Sequence, residues 1–332
     1  MFRSLTLLLA ISTLLFSGCA VGSPFMDDTM PTFPLPEPDY TNKRIRDLRP
    51  YDDALAAFSA ERTRELDALF LAATIPHIQA LFASDDLTSV ELVTYYVDRI
   101  RRYDIDKLNA VMELNPAALD LAAAADAARA AGEVTGPMHG IPVLLKDNIA
   151  TGDGMHATAG AYALKDWQPE RDAFLVQQLR DAGVIILGKA NLSEWANYMD
   201  PSMPNGFSVL GGQTRHPYGP FDPLGSSSGS AVAAAANLAT VTVGSETQGS
   251  IISPAKVNSV VGLKTSHGLV SGDYVIPLVD WMDVAGPIGR NVTDVAILLA
   301  AMTGVDGAGE TDPALAASQA TDFTQYASLE AT

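Results

Sequence analysis

The sequence predicts an α/β fold built around a central sheet. Segments with the helical spacing of apolar residues alternate with short apolar runs rich in β-branched residues, which is the order found in α/β domains. The clearest example is the helical segment 172–182, which is followed directly by an apolar strand at 184–187. Of the 332 residues, 48% are hydrophobic and 18% are charged, so the chain can bury one sizeable core.

The first 18 residues are typical of an export signal. Arg3 precedes an apolar run, 5–16, that is too short to span a bilayer as a stable helix. The run leads into Leu-Phe-Ser-Gly and then Cys19, which resembles a bacterial lipoprotein signal with Cys19 as the lipidated N-terminus. Because Ala20 and not aspartate follows, we expect a lipoprotein anchored in the outer membrane and facing the periplasm. A plain signal peptide cut nearby is the alternative.

A proline-rich stretch, 19–47, predicts an extended tether behind this signal. It holds five prolines between positions 24 and 38, and such linkers act as extended spacers. The rest of the chain, 48–332, is expected to form one globular domain. Cys19 is the only cysteine, which excludes an intramolecular disulfide. No later segment is apolar for long enough to span a bilayer.

Helices are expected before the first strand of the globular domain. The pattern is helical over 54–83, with an interruption expected at Pro76. The residues from Thr88 to Glu91 read T-S-V-E, which is a capping box, and the apolar residues after them keep helical spacing. An Ala-rich helix is expected over 117–131, and an apolar strand then ends at Lys146.

Further elements follow in the second half of the chain. An Ala-rich helix is expected after the first of two Gly/Ser loops, and small side chains suit close packing against other backbone. The predicted elements are a helix at 230–239, strands at 241–243, 260–264 and 286–289, and a helix at 293–302.

The two loops rich in glycine and serine carry the candidate chemistry. The first is 225–229, and the second, 244–250, ends in Ser250. Nucleophilic catalysis needs a hydroxyl, a base to take its proton, and backbone N–H groups to hold the oxyanion. Glycine lets the backbone approach a ligand closely. Apolar runs border both loops, which favours buried elements over a flexible linker.

One short motif in the first loop suggests a different nucleophile. Residues 225–229 match the G-x-S-x-G elbow, which would make Ser227 the nucleophile of an α/β-hydrolase. The elbow requires a strand immediately before it, but 217–224 contains three prolines. The required histidine could only be His267, the one histidine after the loop. The missing context argues against the elbow.

Several sequence blocks together resemble the amidase signature family of serine amidohydrolases. They are G-I-P-V-L-L-K ending at Lys146, G-S-S-S-G-S-A-V from 225, and E-T-Q-G-S ending at Ser250. The resemblance covers roughly 87–304 and implies a mixed, mostly parallel central sheet covered by helices on both faces. It also implies a catalytic set of Lys146, Ser226 with a cis peptide bond, and Ser250 as the nucleophile.

The chemistry of these residues agrees with the roles that the resemblance implies. Burial without a counter-charge lowers the pKa of a lysine, so Lys146 could act as a base. Ser226 would relay the proton from Ser250. The oxyanion donors would be the backbone N–H groups of the second loop, namely Thr247, Gln248, Gly249 and Ser250.

The resemblance implies hydrolysis of a carboxamide through an acyl-enzyme, with peptide C-terminal amides as one substrate. No cofactor is expected. Two alternatives stay open: the amidase component of a tRNA-dependent amidotransferase, and an exported lipoprotein that binds without catalysis. The export signal argues against the first alternative, because that work is cytoplasmic.

Charge and histidine spacing exclude two classes of partner. The net charge of −18 argues against binding to nucleic-acid phosphates. The five histidines are scattered and lack metal-ligand spacing, so no metal site is expected. Members of the family continue beyond the length of this chain, so we expect the domain to be incomplete at its C-terminal end. The oligomeric state is left open.

Overall fold

The computed structural model describes residues 47–200, 202–304 and 321–326. The predicted signal peptide, almost all of the tether and the predicted lipidation site Cys19 lie outside these residues. Within the described ranges, no helix is both long enough and apolar enough to cross a membrane.

Six strands form one mixed sheet in the order β1-β3-β2-β6-β8-β7. Strand β2 pairs in parallel with β3 and with β6, whereas β1 and β8 run in the opposite direction. The strands are β1 (Val111–Leu114), β2 (Pro142–Lys146), β3 (Ile185–Ala190), β6 (Val241–Glu246), β7 (Val261–Gly262) and β8 (Val284–Gly289), and a separate hairpin holds β4 (Phe207–Ser208) and β5 (Gly212–Gln213).

Nine α-helices accompany these strands in the described residues. They are α1 (Asp52–Ala57), α2 (Ala60–Leu69), α3 (Ile75–Ala83), α4 (Ser89–Arg99), α5 (Ala118–Ala130), α6 (Phe174–Asp181), α7 (Ser228–Ala235), α8 (Ile252–Val257) and α9 (Val292–Met302). Helix α4 continues into an irregular helical turn, Ile100–Leu108, where Ile105 and Asp106 leave helical geometry. The helices flank the sheet, so the predicted α/β architecture is confirmed.

The three parallel strands explain where the functional loops meet. Every residue of β2, β3 and β6 is buried, as expected for strands with covered faces. Lys146 lies opposite Ala190 at the carboxyl ends of β2 and β3. Strand β6 runs in the same direction and ends at Glu246, directly before the second Gly/Ser loop. Parallel pairing therefore brings Lys146 and this loop to one edge of the sheet.

Helix starts were predicted well where the capping signal is local. The Thr88 side chain accepts a hydrogen bond from the Glu91 N–H and begins α4, as the capping box predicts. The interruption expected at Pro76 is wrong, because Pro76 lies in the first turn of α3. Backbone N–H groups in the first turn have no acceptor within the helix, so a proline there removes no helical hydrogen bond. The helical pattern breaks instead at Phe58–Ser59 and at 70–74.

Strand lengths depart from the sequence pattern in three places. Strand β1 was not predicted, and it pairs antiparallel with β3. Strand β6 extends to Glu246, so the loop after it is shorter than expected. The strand expected at 260–264 is reduced to Val261–Gly262 at the edge of the sheet.

Helix α7 packs against neighbouring backbone, as its small residues predicted. A Cβ atom added to Gly229 would lie 2.3 Å from the Asn191 carbonyl oxygen and 2.5 Å from that of Ala110. Only glycine fits there without movement of the backbone. This contact seats the first Gly/Ser loop, at the start of α7, against β3 and the beginning of β1.

Candidate active site

Lys146 is the last residue of β2, and its side chain is completely buried. Its Nζ donates hydrogen bonds to the Ser226 Oγ at 2.7 Å and to the Ser245 carbonyl oxygen at 3.1 Å. Burial lowers the pKa of Lys146 from 10.5 to about 7, although the carboxylates of Asp283 and Glu246 act in the opposite direction. An amine with this pKa is substantially neutral near pH 7 and can accept a proton.

Ser226 lies in the loop before α7, next to Lys146. The peptide bond between Gly225 and Ser226 is cis, in agreement with the resemblance. The Ser226 side chain is buried. The backbone carbonyl oxygen of Ser226 accepts a hydrogen bond from the Ser193 N–H at 3.0 Å. The hydroxyl of Ser226 is therefore held where Lys146 can exchange a proton with it.

Ser250 lies after β6, and its loop contacts the Ser226 loop directly. The Ser250 carbonyl oxygen accepts a hydrogen bond from the Ser227 N–H at 3.0 Å. The structure thus brings together the three residues that the sequence singled out, in two adjoining loops beside the end of β2. Their catalytic roles stay predictions.

Ser227 does not fit the elbow interpretation. The described strand nearest before it is β5, which ends at Gln213, so no strand leads directly into this loop. The Ser227 hydroxyl donates to the Ser245 carbonyl oxygen at 3.0 Å and accepts from the Ser245 N–H at 3.2 Å. Both hydrogen bonds tie Ser227 to β6, which suits a structural role.

Glu246 shapes the loop that ends in Ser250, although no sequence motif predicted this role. Its buried carboxylate accepts hydrogen bonds from the N–H groups of Gly249 and Ile251, each at 2.7 Å, and of Ile252 at 2.9 Å. Burial raises the pKa of Glu246, but these hydrogen bonds and nearby Lys264 outweigh it and hold the pKa below its ordinary value. The sequence signal that could have predicted this role is the position of an acidic residue immediately before a Gly/Ser loop.

These contacts change the set of candidate oxyanion donors. The Gly249 N–H points to Glu246 and is already engaged, so the predicted role of Gly249 does not fit this structure. Among the described residues, the N–H groups of Thr247, Gln248 and Ser250 have no hydrogen-bond partner. They are the donors that could meet an oxyanion. The Thr247 hydroxyl donates to the Asp283 carboxylate, which anchors the start of the loop.

A second buried lysine, Lys189, lies in β3 beside the site. Its Nζ donates to the Ile149 carbonyl oxygen. Burial lowers the pKa of Lys189 to about 8, against the opposing charges of Asp147 and Asp153. The Ile149 N–H in turn donates to the Lys146 carbonyl oxygen at 3.0 Å, so Lys189 holds the turn that follows Lys146.

Comparison with known proteins assigns the family. The amidase family matches residues 91–331, which is most of the chain. The chain therefore belongs to the amidase family.

Solved structures share the fold described above. Peptide amidase from Stenotrophomonas maltophilia is 49% identical, with a TM-score of 0.71 over 74% of this chain and 50% of that chain. An amidase family protein from Bacillus anthracis is 41% identical, with a TM-score of 0.79 over 84% of this chain and 56% of that one. The mixed sheet flanked by helices is thus the amidase fold.

A relative with a different name is also similar. One component of the glutamyl-tRNA(Gln) amidotransferase from Acidothermus cellulolyticus is 40% identical over 235 residues, which are 70% of this chain and 45% of that protein. The chain spans half or less of the length of these curated relatives, between 39% and 46% for three of them.

Proposed function

We propose that the protein hydrolyses a carboxamide C–N bond, with Ser250 as nucleophile, Ser226 as proton relay and Lys146 as base. The observation that carries this proposal is the 2.7 Å hydrogen bond from the Lys146 Nζ to the Ser226 Oγ. A buried lysine with a pKa of about 7 suits a base that works near neutral pH. Membership of the amidase family supports the reaction class.

In the first half of the reaction, the Ser250 hydroxyl attacks the amide carbon. The Ser250 proton passes to Ser226, and the Ser226 proton passes to the neutral amine of Lys146. Negative charge then develops on the former carbonyl oxygen of the substrate. The free N–H groups of Thr247, Gln248 and Ser250 would donate to that oxygen.

The second half of the reaction returns the protons through the same residues. Protonated Lys146 supplies a proton through Ser226 to the leaving nitrogen, and the C–N bond breaks to leave an acyl-Ser250. Water then attacks the ester, and its proton follows the relay to Lys146. Breakage of the ester bond releases a carboxylic acid, and Ser250 recovers its proton.

Peptide C-terminal amides are the substrate class that we propose. The support is the similarity to the peptide amidase of Stenotrophomonas maltophilia, which is 49% identical over the shared region. The amidotransferase component from Acidothermus cellulolyticus, at 40% identity, supports the second candidate, transfer of amide nitrogen within a larger assembly. A peptide amide and glutamine, offered as separate substrates, distinguish the two candidates.

Labelling by a fluorophosphonate probe tests the nucleophile. Mass spectrometry should find the adduct on Ser250, and Ser250→Ala should remove both labelling and amide hydrolysis. Lys146→Ala and Ser226→Ala should each slow hydrolysis at least about 100-fold, the scale of lost general-base help. An adduct on Ser227 would restore the elbow interpretation. A folded protein that neither labels nor hydrolyses amides would favour the binding lipoprotein.

A further inference from the structure

Asn148 joins three segments that surround Lys146. It lies two residues after Lys146 and is 5% exposed. Its Nδ2 donates to the Ser245 Oγ at 2.9 Å and, more weakly, to the Ile276 carbonyl oxygen at 3.4 Å. The backbone carbonyl oxygen of Asn148 accepts a hydrogen bond from the Ile276 N–H at 2.8 Å. One side chain therefore connects the end of β2 to β6 and to the segment before β8.

Ser245 is the residue through which Asn148 reaches the candidate base. The Ser245 carbonyl oxygen accepts from the Lys146 Nζ at 3.1 Å and from the Ser227 Oγ at 3.0 Å. The Ser245 hydroxyl, on the same residue, receives the Asn148 amide. A shift of Ser245 would move the carbonyl that fixes the second hydrogen bond of Lys146.

The orientation of the Asn148 amide follows from its partners. The opposite orientation would turn Oδ1 toward the Ile276 carbonyl oxygen, and two acceptors would then face each other. In the observed orientation, the buried Oδ1 has no hydrogen-bond partner among the described residues. A buried acceptor without a partner destabilises the folded state, because it gives up its hydrogen bonds to water. Stability alone therefore does not explain an asparagine at this position. A need for its side-chain N–H donor does explain it.

We propose that Asn148 is a positioning residue that aims Lys146 at Ser226 by holding Ser245. This inference rests on the proposed function, because it assigns Asn148 a role in activating Ser250. A lysine side chain has four rotatable bonds, so its amine needs fixed acceptors to stay in one position. Ser226 is one acceptor and the Ser245 carbonyl is the other. Asn148 fixes the second acceptor.

The test measures the rate constant and the affinity of fluorophosphonate labelling at Ser250 separately. Asn148→Ala and Ser245→Ala should each slow the labelling step by about 10- to 100-fold, the scale expected for a small misplacement of catalytic groups. The concentration for half-maximal rate should change less than about twofold, since neither residue would touch the probe. The double variant should be no slower than the slower single variant, because both changes break one chain of contacts.

Two further variants separate positioning from general loss of stability. Ser245→Thr keeps the hydroxyl and should recover most of the rate. Asn115→Ala removes another buried asparagine, which lies away from the site. The Asn115 Nδ2 donates a hydrogen bond of 2.9 Å to the Ile186 carbonyl oxygen. Asn115→Ala should lower the melting temperature without slowing the labelling step. If Asn148→Ala does not fold, Ser245→Ala and Ser245→Thr decide the question alone.

Each outcome has one meaning. Absence of labelling in the unmodified protein would overturn the proposed function itself. Normal labelling of the unmodified protein, with an equal rate in Asn148→Ala, would overturn only the positioning role. Multiplicative losses in the double variant, or a slow labelling step in Asn115→Ala, would also overturn that role.

Discussion

The carboxylate of Glu246 accepts a hydrogen bond from the backbone N–H of Gly249 at 2.7 Å, across the turn that leads to Ser250. The same carboxylate accepts from Ile251 and Ile252, on the other side of Ser250. One buried acid therefore holds the backbone before and after the candidate nucleophile. The conformation that leaves the Ser250 N–H free depends on this acid.

Replacement of Glu246 should slow the acylation of Ser250. In Glu246→Gln an NH2 group takes the place of one acceptor oxygen and faces a backbone N–H, so the loop must rearrange. We expect labelling of Ser250 to slow by at least about 10-fold, because misplaced oxyanion donors cost this much or more. Labelling kinetics, measured together with thermal unfolding, check the expectation.

Asp126→Asn is the matched control for Glu246→Gln. The Asp126 carboxylate, which belongs to α5, also accepts hydrogen bonds from two backbone N–H groups, those of Ser89 at 2.7 Å and Val90 at 3.1 Å, but these lie at the start of α4. Asp126→Asn should lower the melting temperature and leave the labelling rate unchanged. Equal labelling rates in the two variants would contradict the role given to Glu246.

Activity should depend on pH through Lys146. The base must be neutral to accept a proton, and burial lowers the pKa of Lys146 to about 7. Below that pH the amine is protonated, so kcat/KM should fall about tenfold for each further pH unit. Above it, the acid limb should level off. Lys146→Arg keeps a charged group at every accessible pH and should be inactive throughout. A flat profile from pH 8 to pH 5 would rule out a lysine base.

The close packing of α7 predicts a large loss of stability in Gly229→Ala. The added Cβ would meet two backbone carbonyl oxygens, at 2.3 Å and 2.5 Å, which cannot rotate away as a side chain can. We expect the free energy of unfolding to fall by about 3 kcal/mol, which is at the upper end of the effects measured for overpacking. Gly272→Ala is the control, since its Cβ would meet no atom within 4 Å. Denaturant unfolding of both variants gives the comparison, and equal stabilities would refute the packing argument.

We propose that the chain is exported and carries lipid on Cys19, as its lipoprotein-like signal indicates. Metabolic labelling with a fatty-acid analogue should mark the natural protein and leave Cys19→Ser unmarked. Fractionation should then find the natural protein in the outer membrane. A plain signal peptide predicts no lipid on either protein, and equal labelling of both would place the lipid elsewhere.

The sequence alone determined the chemical types of the candidate functional residues and the order of the elements along the chain. A capping box, an apolar run and a Gly/Ser loop are local signals, because the residues that define them are neighbours in the chain. This is why the start of α4, the end of β2 at Lys146 and the two serine loops could be predicted. Whole blocks in the right order, rather than single residues, gave the family.

The tertiary structure decided which groups touch and which are buried. Strand β8 enters the sheet between β6 and β7, and β1 pairs with β3 from far along the chain, so no local pattern could give that order. The engagement of the Gly249 N–H by Glu246 and the path from Asn148 through Ser245 to Lys146 depend on distances across separate segments. The pKa of Lys146 falls because the packed sheet removes water from its amine, and a linear sequence does not contain that environment.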